Sequence, residues 1–210
     1  MKTVSFSIFK GGTGKTTSSV NTAVALARKG NRVLLVDLDQ QASATRYLDL
    51  DPDHSPSLYE VFMGVKPAAL AIKHTKFGVD MLTANGLLAA IEQALEPGDE
   101  IKLSDFLRPL KPSYDFILID TPPGKAQLAF NGLAAADLIV ITASAERMAV
   151  DGVADLINHV QRIMTWLMRS ATPSTAMRSA EAVMTIRSAA AKPLKANWAL
   201  PGGVSIRMKS

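Results

Sequence analysis

Apolar residues gather along the chain in short runs that alternate with amphipathic stretches. Val33-Leu34-Leu35-Val36 and Phe116-Ile117-Leu118-Ile119 are uninterrupted, as expected of strands buried on both faces of a parallel sheet. The pattern predicts strands at 2–9, 32–37, 79–83, 115–120 and 138–142. Helical spacing predicts helices at 15–29, 43–48, 56–63, 86–95, 101–109 and 148–167, with a further helical stretch reaching 135. Strands alternating with helices imply an α/β fold: a doubly wound, mostly parallel sheet with helices on both faces. Beyond Arg169 the periodicity fades into Ala, Ser, Thr, Pro and scattered cations, leaving short candidate strands at 182–186 and 204–208. The expected organisation is one domain over 1–168, with 169–210 a divergent or partly ordered basic segment of that domain. A poorly ordered tail, a divergent end and an altered reading frame all fit this segment's composition.

Candidate chemistry is concentrated where strands end. Lys10-Gly11-Gly12-Thr13-Gly14-Lys15-Thr16-Thr17 follows the first apolar run and leads into the first helix. That order of strand, glycine loop and helix suits a phosphate. Small residues let successive backbone N–H groups point at one anion, a lysine reaches the terminal phosphates, and a hydroxyl ligates Mg²⁺. The helix N-terminus adds its dipole and unpaired N–H groups. The ordinary loop has glycine five residues before Gly14; Phe9 stands there, so this is a deviant form with Lys10 as an extra cation.

Two further strands end in acids. Asp37 and Asp39 close the second strand, and Asp120, followed by Thr121-Pro122-Pro123-Gly124, closes the fourth. Ligands of open α/β sheets sit beyond the carboxyl ends of the strands, which places these carboxylates near the phosphates. An acid there holds the Mg²⁺ shell directly or through water.

KGGTGKTT at 10–17, VLLVDLDQQ at 33–41, YDFILIDTPP at 114–123 and LAFNGLAAADLIVI at 128–141 together resemble the ParA/MinD superfamily of deviant-Walker ATPases. The likeness is strongest to the short ParA-type partition ATPases and extends to about residue 163, taking in Glu146 and Gly152. The resemblance implies ATP and Mg²⁺ as cofactors and a phosphate site at residues 10–17. It assigns Lys15 and Thr16 to phosphate and Mg²⁺, and Asp120 to the Walker B acid beside the metal. Asp39 matches the acid that positions the attacking water, and Lys10 the signature lysine that reaches the partner's nucleotide in an ATP sandwich dimer. Lys10, Lys15 and Asp39 are thus the expected catalytic residues. The family usually reads Asp-Pro-Gln where this chain has Asp39-Gln40-Gln41; losing the proline frees a φ angle and restores an N–H.

Composition narrows the choice within the family. With 210 residues and 48% hydrophobic content the chain has enough apolar residues for a sizeable core. No apolar run reaches the length of a membrane span, and the N-terminus enters a strand in place of a signal peptide, so a cytoplasmic location is expected. The absence of cysteine removes the thiolate ligands that iron–sulfur members use. The three histidines, at 54, 74 and 159, are too scattered to suggest a metal site.

Charge is uneven. Residues 162–210 hold 8 Lys or Arg against Glu181 alone, a net +7, whereas residues 1–161 hold 15 against 18, a net −3. A basic stretch of this kind attracts phosphate backbones without reading bases, in a salt-sensitive way. With the resemblance, it predicts non-specific double-stranded DNA as a partner, a nucleoid association and a ParB-like adaptor. Candidate DNA contacts are Arg162, Arg169, Arg178, Arg187, Lys192 and Lys195. No helix-turn-helix extension precedes the first strand, which argues against operator binding. The alternatives are a MinD-like membrane-surface ATPase, for which Val204 to Ser210 is too short an amphipathic helix, and a small-molecule ATP-dependent enzyme on the same scaffold.

Overall fold

The computed structural model of the chain describes residues 1–143 and, beyond them, residues 153, 156–158, 160–162, 183–188 and 206–209, the last two stretches as backbone. Its centre is a sheet whose strands are β1 (Lys2–Phe6), β2 (Val33–Asp37), β3 (Ile72–His74), β4 (Asp80–Leu82), β5 (Phe116–Asp120), β6 (Leu138–Ala143), β7 (Val183–Ser188) and β8 (Ile206–Lys209). They lie in the order β3-β4-β2-β5-β1-β6-β7-β8. All neighbours are parallel except β3 and β4. The doubly wound α/β class is therefore as the sequence predicts, with one antiparallel edge strand added.

The helices are α1 (Lys15–Arg28), α2 (Ser43–Tyr47), α3 (Leu58–Phe62), α4 (Ala68–Ala71), α5 (Leu88–Ala94), α6 (Lys102–Leu107) and α7 (Gln127–Ala134). Period-two alternation divides them between the faces. Val33 and Leu35 of β2 pack with Val4, Phe6 and Leu118 against Val20 and Ala23 of α1 and Ala44 of α2. Leu34 and Val36 pack with Ile117 and Ile119 beneath Leu58, Leu88, Leu103 and Leu128 of the other face. A third cluster joins Ile8, Phe130, Leu133, Ile139 and Ile141 to Leu156. Full burial of side chains such as Leu34 and Leu35 stabilises by about 1.5–3 kcal/mol each.

Several boundaries differ from expectation. The first strand ends at Phe6, although the Ser7 N–H still donates to the Val140 carbonyl at 3.0 Å. The loop therefore starts earlier and carries Ile8 and Phe9 into the third cluster. The helix expected over 101–109 stops at Leu107, and a 3₁₀ segment, Arg108–Ser113, accommodates Pro109 and Pro112, which lack the N–H an α-helix interior needs. The two short candidate strands near the C-terminus form β7 and β8 and extend the sheet. Residues 153, 156–158 and 160–162 are helical, within the helix expected at 148–167.

Candidate phosphate and metal site

The loop between β1 and α1 follows the edge of the sheet where β1, β2 and β5 end. Gly12 (φ 72°) and Gly14 (φ 81°) adopt left-handed backbone, which glycine alone enters without a Cβ penalty. Gly14 is the N-cap of α1 and supplies no side chain to cap it, so the first N–H groups of the helix face the loop. Thr13 Oγ1 donates to the Lys10 carbonyl at 3.4 Å and lies 3.3 Å from Thr142 Oγ1, tying the loop to β6. Lys15 is 7% exposed, and its Nζ donates to the Lys10 carbonyl at 3.4 Å. Burial pulls its pKa down, opposed by the charges of Asp120 and Asp39. The buried amine is thus held inside the loop with two carboxylates acting on it.

Asp120 closes β5, and Asp39 lies just past the end of the adjacent strand β2, which Asp37 closes. Asp37 and Asp120 are register partners of β2 and β5, and both are fully buried. Burial, then the charge of Asp120, pushes Asp37 up to about 7, against three donors that favour its ionised form. Oδ1 accepts the Asp39 N–H at 3.1 Å, and Oδ2 accepts the Thr45 N–H and hydroxyl, each at 2.9 Å. Asp120 has neither oxygen in a hydrogen bond. Burial pushes it up to about 6, while the nearby Thr16 and Ser19 hydroxyls and Lys15 pull downward without forming a bond of proper geometry to it.

A buried carboxylate with two unused oxygens is costly unless a cation completes it. Asp120 and the Thr16 hydroxyl are hard oxygen donors, and among the described residues no group of three or more His, Cys, Asp or Glu gathers elsewhere. One protein carboxylate, one hydroxyl and substrate phosphate oxygens are the set Mg²⁺ takes, in contrast to an all-protein cage. The residues present fit that ion.

Asp39 is partly exposed and fixed at two points. Its N–H donates to Asp37, and its Oδ1 accepts the Gln41 N–H at 2.9 Å. Across Gln40, where the family usually has proline, the Asp39 side chain closes the turn by accepting the Gln41 N–H. Lys10, Gly11, Gly12, Thr13, Gly14, Lys15, Thr16 and Thr17 form one continuous loop and helix start, and Asp39 and Asp120 border it. Of the candidate DNA contacts, Arg162 is exposed on the helical stretch after β6, and Arg187 lies in β7, in register with Lys209 of β8. Arg169, Arg178, Lys192 and Lys195 lie outside the described residues, as do Glu146 and Gly152.

Sequence reasoning missed several neighbours of the site. Ser19 stands one helical turn beyond Thr16 and donates to its carbonyl at 3.0 Å. Thr45, in α2, satisfies Asp37. Phe9, in the position of the missing glycine, stacks edge-on against Phe130 at 6.5 Å, with Lys125 Nζ 5.5 Å from its ring centre. The Gly124 N–H donates to the Phe9 carbonyl at 2.8 Å, joining the loop after Asp120 to the entrance of the phosphate loop.

A family model described as an AAA domain matches residues 1–171. The sporulation initiation inhibitor protein Soj of Bacillus subtilis is 38% identical over 162 residues, 75% of this chain and 64% of Soj. The chromosome partitioning protein ParA of Myxococcus xanthus is 35% identical over 158 residues, 73% of this chain and 56% of that protein. The chain thus spans less than two thirds of the length of these curated relatives. Among solved structures, cobyrinic acid a,c-diamide synthase from Mycobacterium smegmatis with bound ATP analog and magnesium superposes with a TM-score of 0.73. It is 33% identical and covers 82% of this chain and 70% of its own. The chain belongs to this AAA-domain family, in the ParA-type branch of the ParA/MinD superfamily of deviant-Walker nucleotide-binding proteins.

Proposed function

We propose that the protein is a ParA-like switch that binds Mg-ATP at residues 10–17 and hydrolyses it slowly. The observation that carries this reading is the pair of unpartnered Asp120 oxygens beside Thr16 and the buried Lys15. Lys15 would stabilise the β and γ phosphates, and the N–H groups of Gly11 to Thr16 would surround them. Asp120 and Thr16 would hold Mg²⁺, which supplies charge neutralisation for the terminal phosphates. Asp39, anchored by Asp37 and Gln41, would orient the attacking water. Lys10 would reach across to the nucleotide of a second copy in a sandwich dimer. That dimer would bind double-stranded DNA of any sequence, and a ParB-like adaptor would stimulate turnover, so that plasmid, chromosome or other cargo is positioned on the nucleoid.

Phosphoryl transfer relies on positioned charge, which lets binding and chemistry be separated by mutation. Lys15→Ala should lose ATP binding or turnover. Asp39→Ala should keep ATP and lose hydrolysis, with the dimer trapped, whereas Lys10→Ala should impair both dimer and hydrolysis. ATP titration, phosphate release and light scattering on the three variants test this together. Unchanged affinity and turnover in Lys15→Ala would remove the assignment. An Asp39→Ala protein that stays monomeric while the parent dimerises would remove the role given to Asp39.

A second reading is supported by the likeness to the cobyrinic acid a,c-diamide synthase: an ATP-dependent enzyme acting on a small molecule. ATP turnover that needs a carboxylate acceptor, and is indifferent to DNA and to adaptor, would favour it.

A further inference from the structure

Thr45 lies on α2, fully buried, and its hydroxyl both donates and accepts a hydrogen bond. The Ala84 N–H, just past the end of β4, donates to Thr45 Oγ1 at 3.1 Å. A backbone N–H has only a proton to give, so the hydroxyl proton is directed to Asp37 Oδ2, 2.9 Å away. The Thr45 N–H meets the same oxygen at 2.9 Å. The carboxylate is thereby fixed in rotation, and its other oxygen receives the Asp39 N–H at 3.1 Å.

The segment between them is short and constrained. The Ala42 N–H donates to the Asp39 carbonyl at 2.8 Å, and Ala42 holds a left-handed φ of 52° that costs a non-glycine residue energy. A strained turn of this kind persists only where its surroundings over-determine it. The bonds of Thr45 to Asp37 and Ala84 are part of those surroundings. Past Ala84 the polar contacts continue: Asn85 Nδ2 donates to Ser57 Oγ at 3.0 Å, and Ser57 caps α3 in a reciprocal arrangement with Glu60.

We propose that Thr45 is a positioning residue for Asp39. It orients the Asp37 carboxylate and through it the Asp39 backbone, and it locks both to the end of β4 without touching phosphate. The inference rests on the reading of Asp39 as the acid that orients the attacking water. Valine has the shape of threonine and neither bond of its hydroxyl, so Thr45→Val leaves the Ala84 N–H buried without a partner and removes one of the two donors to Asp37 Oδ2, loosening the carboxylate while the backbone N–H groups of residues 39 and 45 stay on it.

A misplacement of about 1 Å is worth about 100-fold in rate. Thr45→Val should therefore lower kcat by about 10- to 100-fold. ATP affinity should change less than about threefold, because Lys15 and the loop are untouched. Thr45→Ser, which keeps the hydroxyl, should recover most of the rate. Amide hydrogen exchange over residues 38–45 should be faster in Thr45→Val than in the parent and near parental in Thr45→Ser, with or without nucleotide. Parental turnover in Thr45→Val, or a loss of ATP binding in step with turnover, overturns the proposal. If the parent binds ATP and does not turn it over, the reading of Asp39 fails, and exchange still decides: unchanged exchange in Thr45→Val overturns the positioning role. Circular dichroism establishes that the valine variant folds. Should it not, Asp37→Asn, which keeps the shape and exchanges an acceptor for a donor, must show the same split between kcat and affinity, and parental kinetics there overturn the proposal.

Discussion

Asp37 and Asp120 are both raised first by burial and also by a like charge, that of Asp120 for the one and of Asp39 for the other, and donors offset this only in part. Both pKa values lie above the unfolded value of about 3.9, so these two groups hold more protons in the folded than in the unfolded chain, and above about pH 5, where the lowered carboxylates Glu60, Asp99 and Asp115 are ionised in both states, they set the slope. Stability of the nucleotide-free protein should therefore fall as pH rises from about 5 to about 7. A series of melting temperatures from pH 5 to pH 8 should slope downward, and Mg-ATP or Asp120→Asn should flatten the slope. Glu60 acts in the opposite sense and lower down. Burial works upward on it, but bonds from the Ser55 hydroxyl and the Ser57 N–H and hydroxyl hold it at about 2, so its contribution is lost only as pH falls below about 4. The three strand-end acids were legible in the sequence because each terminates an apolar run. Thr45 was not, since a buried threonine eight residues past Asp37 has no signature until the fold brings them together.

At the scale of elements, the helix after Asp120 is set very close to the sheet. A Cβ on Gly132 of α7 would stand 2.7 Å from Thr121 Cγ2, 3.0 Å from Leu38 Cδ1 and 3.2 Å from Ile119 Cγ2, all side chains of buried residues. Gly132→Ala gains about 0.5–1 kcal/mol of helix propensity. It should lose about 1–3 kcal/mol to overpacking. The net expectation is destabilisation by up to about 2.5 kcal/mol. Urea denaturation checks the sign: a variant more stable than the parent would show that α7 yields freely. The start of α7 is also held from a distance, with the Glu92 carboxylate of α5 accepting the Gln127 and Leu128 N–H groups at 2.5 and 2.9 Å. Neither contact has a local signal, whereas the buried strands β2 and β5 and the half-buried β6 read directly from their apolar runs. The antiparallel strand β3 went unread because Ile72-Lys73-His74 is short, polar on two of its three positions and only partly buried.

For the whole molecule, the separation of charge bears on the DNA contact that the proposed function requires. The basic excess lies in residues 162–210, and a dimer doubles the cations one particle offers to a DNA backbone, so nucleotide state would gate a contact each monomer makes weakly. A mobility-shift series should show binding with ATP, little with ADP, no sequence preference and a steep decline with salt; equal binding in all states would contradict the gating. No helix among the described residues is long and apolar enough to cross a membrane. The outer strand β3 also bears on assembly. Three residues of antiparallel edge, with Lys73 and His74 among them, give an incoming chain few backbone groups to pair with and a charge to bury. At this end the sheet resists polymerisation by strand addition, so copies crowded at high local concentration, as the proposed DNA binding would crowd them, would be kept from fusing into a permanent fibre.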